Sequence, residues 1–143
     1  MSGYVVDANV STKWMMAEEL SDVAVRLLVD DLELHAPAMM WLEVASALRN
    51  AVRRGNLDAG TATAMLRTLE TYHVTIHAEP ELAVRALEVA LATGQTPYDC
   101  VYLALAEREG QLLITADDRF VAGLARTPWA ARVVALRDWQ PPE

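Results

Sequence analysis

Apolar residues along the chain fall into short β-type runs that alternate with stretches of helical period. Tyr4-Val5-Val6 predicts a first strand that ends at Asp7. Ser21 reads as the N-cap of a helix over Asp22 to about Asp30, with Val25, Leu28 and Val29 on its apolar side. Leu32 to Ala36 alternates like a second strand. Pro37 then suits the first position of a longer helix, where its missing N–H costs nothing, and Gly55 suits a left-handed stop. Asp58 predicts a cap for a helix carrying Met65, Leu66 and Leu69, and Val74-Thr75-Ile76 a third strand. Pro80 starts a helix ending at Gly94, and Thr96-Pro97-Tyr98-Asp99 starts the next. Gln111 to Thr115 reads as a buried strand, Asp117 as the start of a short helix through Phe120 and Leu124, and Val133 to Leu136 as a last strand.

Strands alternating with helices in this way predict a three-layer α/β/α sandwich around a mainly parallel sheet. No linker, charge block or repeat divides the chain, so residues 1–143 are expected to form one domain, with a loose tail from about 138. No apolar run is long enough for a membrane span, and no export signal is recognised at the start. The single cysteine, Cys100, lies in an apolar stretch and reads as a buried thiol, so a reducing, cytoplasmic setting is expected.

Charge complicates the picture. The formal net charge is -8, and Lys13 is the one lysine. That balance argues against a passive nucleic-acid-binding module, whose affinity rests on Lys and Arg. It does not argue against an enzyme whose bound cations supply the positive charge.

The acids fall at telling places. Asp7 follows the first strand and Asp117 the Leu112-Leu113-Ile114 strand, and ligands of open parallel sheets bind outside such strand ends. Asp99 lies in the first turn of its helix, and Glu43 about two turns into its own. Each has a plainer explanation as well. Asp99 fits a capping box and Asp117 a helix cap, while Glu43 shares a stripe with Ser46, Ala47, Asn50 and Arg54 that suits a solvated face. Asp7 is harder to dismiss, because an acid directly after a buried strand is costly unless it is paired, capped or bound to metal. Two carboxylates about 4 Å apart repel by roughly 4 kcal/mol at an effective dielectric near 20. Several acids converging in one crevice would therefore call for a hard cation such as magnesium.

The order and context of these motifs resemble the PIN-domain nucleases, and especially the VapC-like toxins of toxin–antitoxin pairs, over nearly the whole chain. Val5-Val6-Asp7-Ala8-Asn9 with Lys13-Trp14 resembles the family's first strand and acid. Ala36-Pro37 leading to Trp41-Leu42-Glu43-Val44 and Leu48-Arg49 resembles its second acid, on a helix. Thr96-Pro97-Tyr98-Asp99 with Tyr102-Leu103-Ala104-Leu105-Ala106 resembles the third-acid helix, and Leu113-Ile114-Thr115-Ala116-Asp117 with Arg119-Phe120 the closing strand and fourth acid. The resemblance implies metal-dependent endoribonuclease activity with Mg²⁺ or Mn²⁺, and an RNA substrate. It further implies a cognate antitoxin and homodimerisation. Asp7, Glu43, Asp99 and Asp117 would be the catalytic, metal-binding acids, with Asn9 and Thr115 as polar supports. Asp118, beside Asp117, competes for the fourth place.

Lys13 and Arg54 are candidate RNA contacts, although Arg54 also suits the negative end of its helix. His35, His73 and His77 lack the spacing of a helical zinc pair, so no histidine metal site is expected. Two other classes stay open: an aspartyl-nucleophile phosphohydrolase, although its usual second acid would be Asn9 here, and a non-catalytic module that binds RNA or an antitoxin.

Overall fold

The computed structural model describes residues 3–29 and 31–142. Five strands, β1 (Gly3–Val6), β2 (Glu33–Pro37), β3 (Val74–His77), β4 (Leu112–Thr115) and β5 (Val133–Ala135), form one sheet in the order β3-β2-β1-β4-β5. All four pairings are parallel. Seven α-helices connect or flank the strands among the described residues: α1 (Ala8–Ser11), α2 (Ser21–Val29), α3 (Met40–Arg53), α4 (Ala59–Leu69), α5 (Pro80–Thr93), α6 (Pro97–Glu109) and α7 (Asp118–Gly123). The expected α/β/α sandwich is the observed one. No helix among the described residues is long and apolar enough to cross a membrane.

The central strands are apolar on both faces because both are covered. Val5, Val6, Leu113 and Ile114 are fully buried, as expected for parallel strands between helical layers. Helix α6 crosses β1, β2 and β4 while α5 packs against it, so α6 is buried nearly all round from Tyr102 to Ala106. Each such Leu or Val contributes roughly 1.5–3 kcal/mol by leaving water.

Local signals set most boundaries. The Asp58 carboxylate accepts the Thr61 N–H at 2.8 Å and caps α4, and Gly55, Gly94 and Gly110 stand at helix ends with positive φ. Three expectations fail. Pro37 does not open a helix; it closes β2, and α3 begins at Met40. The next residue, Ala38, donates its N–H to His77 of β3, so the proline nitrogen points the other way, toward β1. There the pairing ends at Val5–His35, and no donor is needed. Ser21 is the first residue of α2 rather than its cap: its hydroxyl accepts the Glu18 N–H and donates to the Met16 carbonyl, fastening the preceding loop. Asp30, the expected end of that helix, lies outside the described residues. The tail is not loose from 138, because Trp139 is buried and meets the Tyr4 ring edge-on at 5.9 Å.

Candidate active site

The strand order reverses on either side of β1: β2 and β3 lie to one side, β4 and β5 to the other. This is the topological switch point at which open α/β sheets leave a crevice beyond their carboxyl ends. Asp7 follows β1, and Val6 pairs with Ile114 of β4, so Asp7 stands beside Thr115 and close to Asp117. The Asp7 N–H donates to Ile114 O at 3.0 Å, which locks that placement.

Asp7 occupies the N-cap position of α1 yet makes no capping bond with its side chain. Its carboxylate instead accepts the Thr115 hydroxyl at 3.0 Å. Thr115 is a hub: its oxygen also accepts the Asp117 N–H at 3.1 Å and the Asn9 side-chain amide at 3.3 Å. Asn9 in turn accepts the Ala116 N–H at 2.9 Å. Buried Thr115 and half-buried Asn9 thus fix the loop after β4 against the loop after β1.

Glu43 lies in the first turn of α3, not two turns in, because the helix begins three residues later than the proline suggested. Its carboxylate accepts the hydroxyl of buried Tyr102 at 2.6 Å. Asp99 is in the first turn of α6, where the Thr96 hydroxyl accepts the Asp99 N–H and donates to its carboxylate, both at 3.2 Å. Asp117 caps α7 by accepting the Phe120 N–H at 3.1 Å. The plain capping explanations of Asp99 and Asp117 thus hold. Asp118 turns away, its carboxylate paired with Arg137.

The acids act on one another electrostatically. Burial, aided by Glu43 and Asp99 and opposed by the Thr115 hydroxyl and the Asn9 N–H, raises the Asp7 carboxyl from its ordinary value to about 7. Burial likewise raises Glu43, aided by Asp99 and opposed by Tyr102. Asp99 is raised first by burial and then by Asp117, against Thr96. Carboxylates that raise one another's affinity for protons in this way would gain by taking up positive charge. All-oxygen donors of this kind suit a hard divalent cation.

A PIN domain profile matches residues 4–123. The chain belongs to the PIN-domain family. This PIN domain is 36% identical over 115 residues to Ribonuclease VapC3 of Pyrobaculum aerophilum, covering 79% of this chain and 88% of that protein. It is 34% identical over 125 residues to Ribonuclease VapC9 of Mycobacterium tuberculosis, covering 87% of this chain and 94% of that protein. In fold it is similar to a crystal structure from P. aerophilum, with a TM-score of 0.70 at 23% identity, covering 95% of this chain and 85% of that one. It also superimposes on a toxin–antitoxin complex from Klebsiella pneumoniae with a TM-score of 0.65 at 16% identity, covering 93% of this chain and 97% of that one.

Sequence reasoning overlooked Tyr102 as part of the PIN-domain site. The available signal was its spacing: Tyr102 lies three residues after Asp99, one helical turn on along the same side of α6. Burial raises its phenol, and Asp7 and Glu43 raise it further, so it stays protonated and donates to Glu43. Tyr102→Phe is expected to destabilise the fold by about 1.5–3 kcal/mol, the worth of a hydrogen bond to a charged acceptor. Urea unfolding measures the change, and a loss below a few tenths would show that the bond contributes little.

The two candidate RNA-contact cations have other surroundings in the fold. Lys13 pairs with Glu18 at 3.7 Å. Arg54 follows α3, eleven residues after Glu43, which places it roughly 16 Å along the axis.

Proposed function

We propose that this protein is a metal-dependent endoribonuclease that hydrolyses RNA phosphodiester bonds as the toxin of a VapBC-type toxin–antitoxin pair. What supports the reading is the mutual influence of these acids beside the switch point, Glu43 and Asp99 acting on Asp7 and Asp117 on Asp99, in a chain whose relatives are named VapC ribonucleases. Asp7, Asp99 and Asp117, with Glu43, would hold Mg²⁺ or Mn²⁺. A divalent cation there supplies charge against the scissile phosphate and lowers the pKa of the attacking water. The chain's own residues do the rest. Thr115 and Asn9 hold Asp7 and the Asp117 loop in register, and Tyr102 orients the Glu43 carboxylate. Glu43, whose proton affinity burial raises, is the group we assign to take the proton of the attacking water. Lys13 and Arg54 are proposed to hold RNA phosphates away from the cleavage point.

A cognate antitoxin that covers the crevice, and a homodimer, complete the proposed assembly; structures similar in fold include the toxin–antitoxin complex from K. pneumoniae. The chain is expected to cleave structured RNA with Mg²⁺ or Mn²⁺ and to stop in EDTA, as read on a denaturing gel. Equal cleavage in EDTA would exclude the metal-dependent reading. An aspartyl-phosphate route gains nothing from the geometry, because Asn9 stands where its second acid would be and is occupied with Thr115 and Ala116.

A further inference from the structure

Two of the three histidines set aside from their spacing alone, His35 and His77, are brought together by the fold. We infer that His35, His77 and Glu109 form a second metal site, separate from the carboxylate crevice and suited to Zn²⁺ or a similar borderline transition-metal ion. One ligand-competent atom from each of the three lies within 4.8 Å of those of the other two. His35 belongs to β2, His77 ends β3 and Glu109 ends α6, so rigid elements present all three. The site is not an extension of the crevice: Glu109 and Asp99 are ten residues apart on α6, about 15 Å along its axis.

The donor set decides the metal class. Two imidazoles and one carboxylate are the ligands of zinc sites that keep a fourth position for water, whereas magnesium and calcium prefer oxygen alone. His35 Nδ1 and His77 Nε2 face each other at 2.8 Å across stacked rings. Tetrahedral bonds of about 2.0–2.1 Å would hold two such nitrogens roughly 3.3 Å apart. An opening of about half an ångström therefore admits the ion.

His35 has the outer contact of a metal-ligating histidine: it turns its other nitrogen, Nε2, to Glu33 at 3.3 Å. A carboxylate bonded behind a ligating imidazole fixes its tautomer and raises its basicity. His77 has a carboxylate near but not bonded, Glu79 at 3.8 Å from its Nδ1. Without metal, Arg108 donates to His77 Nδ1 at 3.0 Å. His77 then carries its proton on Nε2 and donates to His35, which donates to Glu33. Metal binding at His77 Nε2 moves that proton to Nδ1, toward Glu79. Arg108 leaves His77 and keeps Glu79 and Glu109, which it already pairs at 3.5 and 3.2 Å. Both imidazoles stay neutral and no proton is lost from them.

The test uses the full chain carrying Asp7→Asn, to weaken metal uptake at the crevice, with Zn²⁺ alone as the probe. Titration against a chromophoric chelator is expected to give one equivalent bound with micromolar or tighter Kd, and Zn²⁺ is expected to raise the melting temperature. Adding His77→Gln should weaken binding at least tenfold and remove the thermal shift. Adding Glu33→Gln should weaken it by about tenfold. If His77→Gln misfolds in EDTA, Glu109→Gln replaces it with the same expectation. No uptake below about 100 μM, or uptake unchanged by the ligand substitutions, would overturn the site and leave a hydrogen-bonded histidine pair. Neither result bears on RNA cleavage, which depends on the other set of acids.

Discussion

Asp7→Asn is expected to lower single-turnover RNA cleavage in saturating Mg²⁺ by about a thousandfold, roughly 4 kcal/mol of transition-state stabilisation. The expectation follows from position. Asp7 is the most buried of the four acids, with 7% of its surface exposed, and both Glu43 and Asp99 act on it directly. Asparagine keeps the size of the side chain and an oxygen for the Thr115 hydroxyl, so the loops it joins should hold. It removes the negative charge that a divalent cation would meet. Asp118→Asn is the matched control: one residue from Asp117, its carboxylate is exposed and held by Arg137, so cleavage should remain within about twofold of wild type. A rate above a tenth of wild type in Asp7→Asn, or an equal loss in Asp118→Asn, would contradict the assignment of the acids.

Why Asp7 was the most legible of these residues follows from local structure. An acid directly after an apolar strand is unusual in any context, and strand ends of parallel sheets are where ligands collect. Asp99 and Asp117 were less distinctive, since capping alone accounts for such residues, and both do cap or brace a helix start. Strand spans and the Asp58 cap were readable because each depends on a few consecutive residues. Pro37 misled for the same reason: proline suits a helix start and also a strand end beside an unpaired neighbour, and only the register of β1 against β2 distinguishes them. Tyr102 meets Glu43 across 59 residues and His35 meets His77 across 42. No local pattern encodes such pairs; they appear once the sheet order is known. Trp139 escaped likewise, because two nearby prolines suggested a free tail while its ring packs on Tyr4, at the opposite end of the chain.

The same substitution that removes activity is expected to strengthen the metal-free fold. With a folded pKa of about 7 against an ordinary 3.8, Asp7 binds more protons folded than unfolded between those values. Stability from this group is therefore complete below about pH 4 and is lost as pH rises through 7. Three units correspond to about 4 kcal/mol at most. In EDTA at pH 8, Asp7→Asn should recover about 2 kcal/mol of that, or roughly 8 °C in melting temperature for a chain of this size. Carboxyls held below their ordinary range, such as Glu107 by Arg85 and Glu79 by its own backbone N–H and then Arg108, act in the opposite direction. They lose their contribution as pH falls, and so wild-type stability alone does not isolate Asp7. The difference between Asp7→Asn and wild type does, because those pairs are common to both. That difference should grow from pH 5 to pH 8 in EDTA and shrink or reverse with added Mg²⁺, which on the proposed function would stabilise the wild type by binding its folded state. A difference that stays flat across this range would mean that Asp7 is not forced to carry its charge among the other acids, and the clustering argument would fail with it.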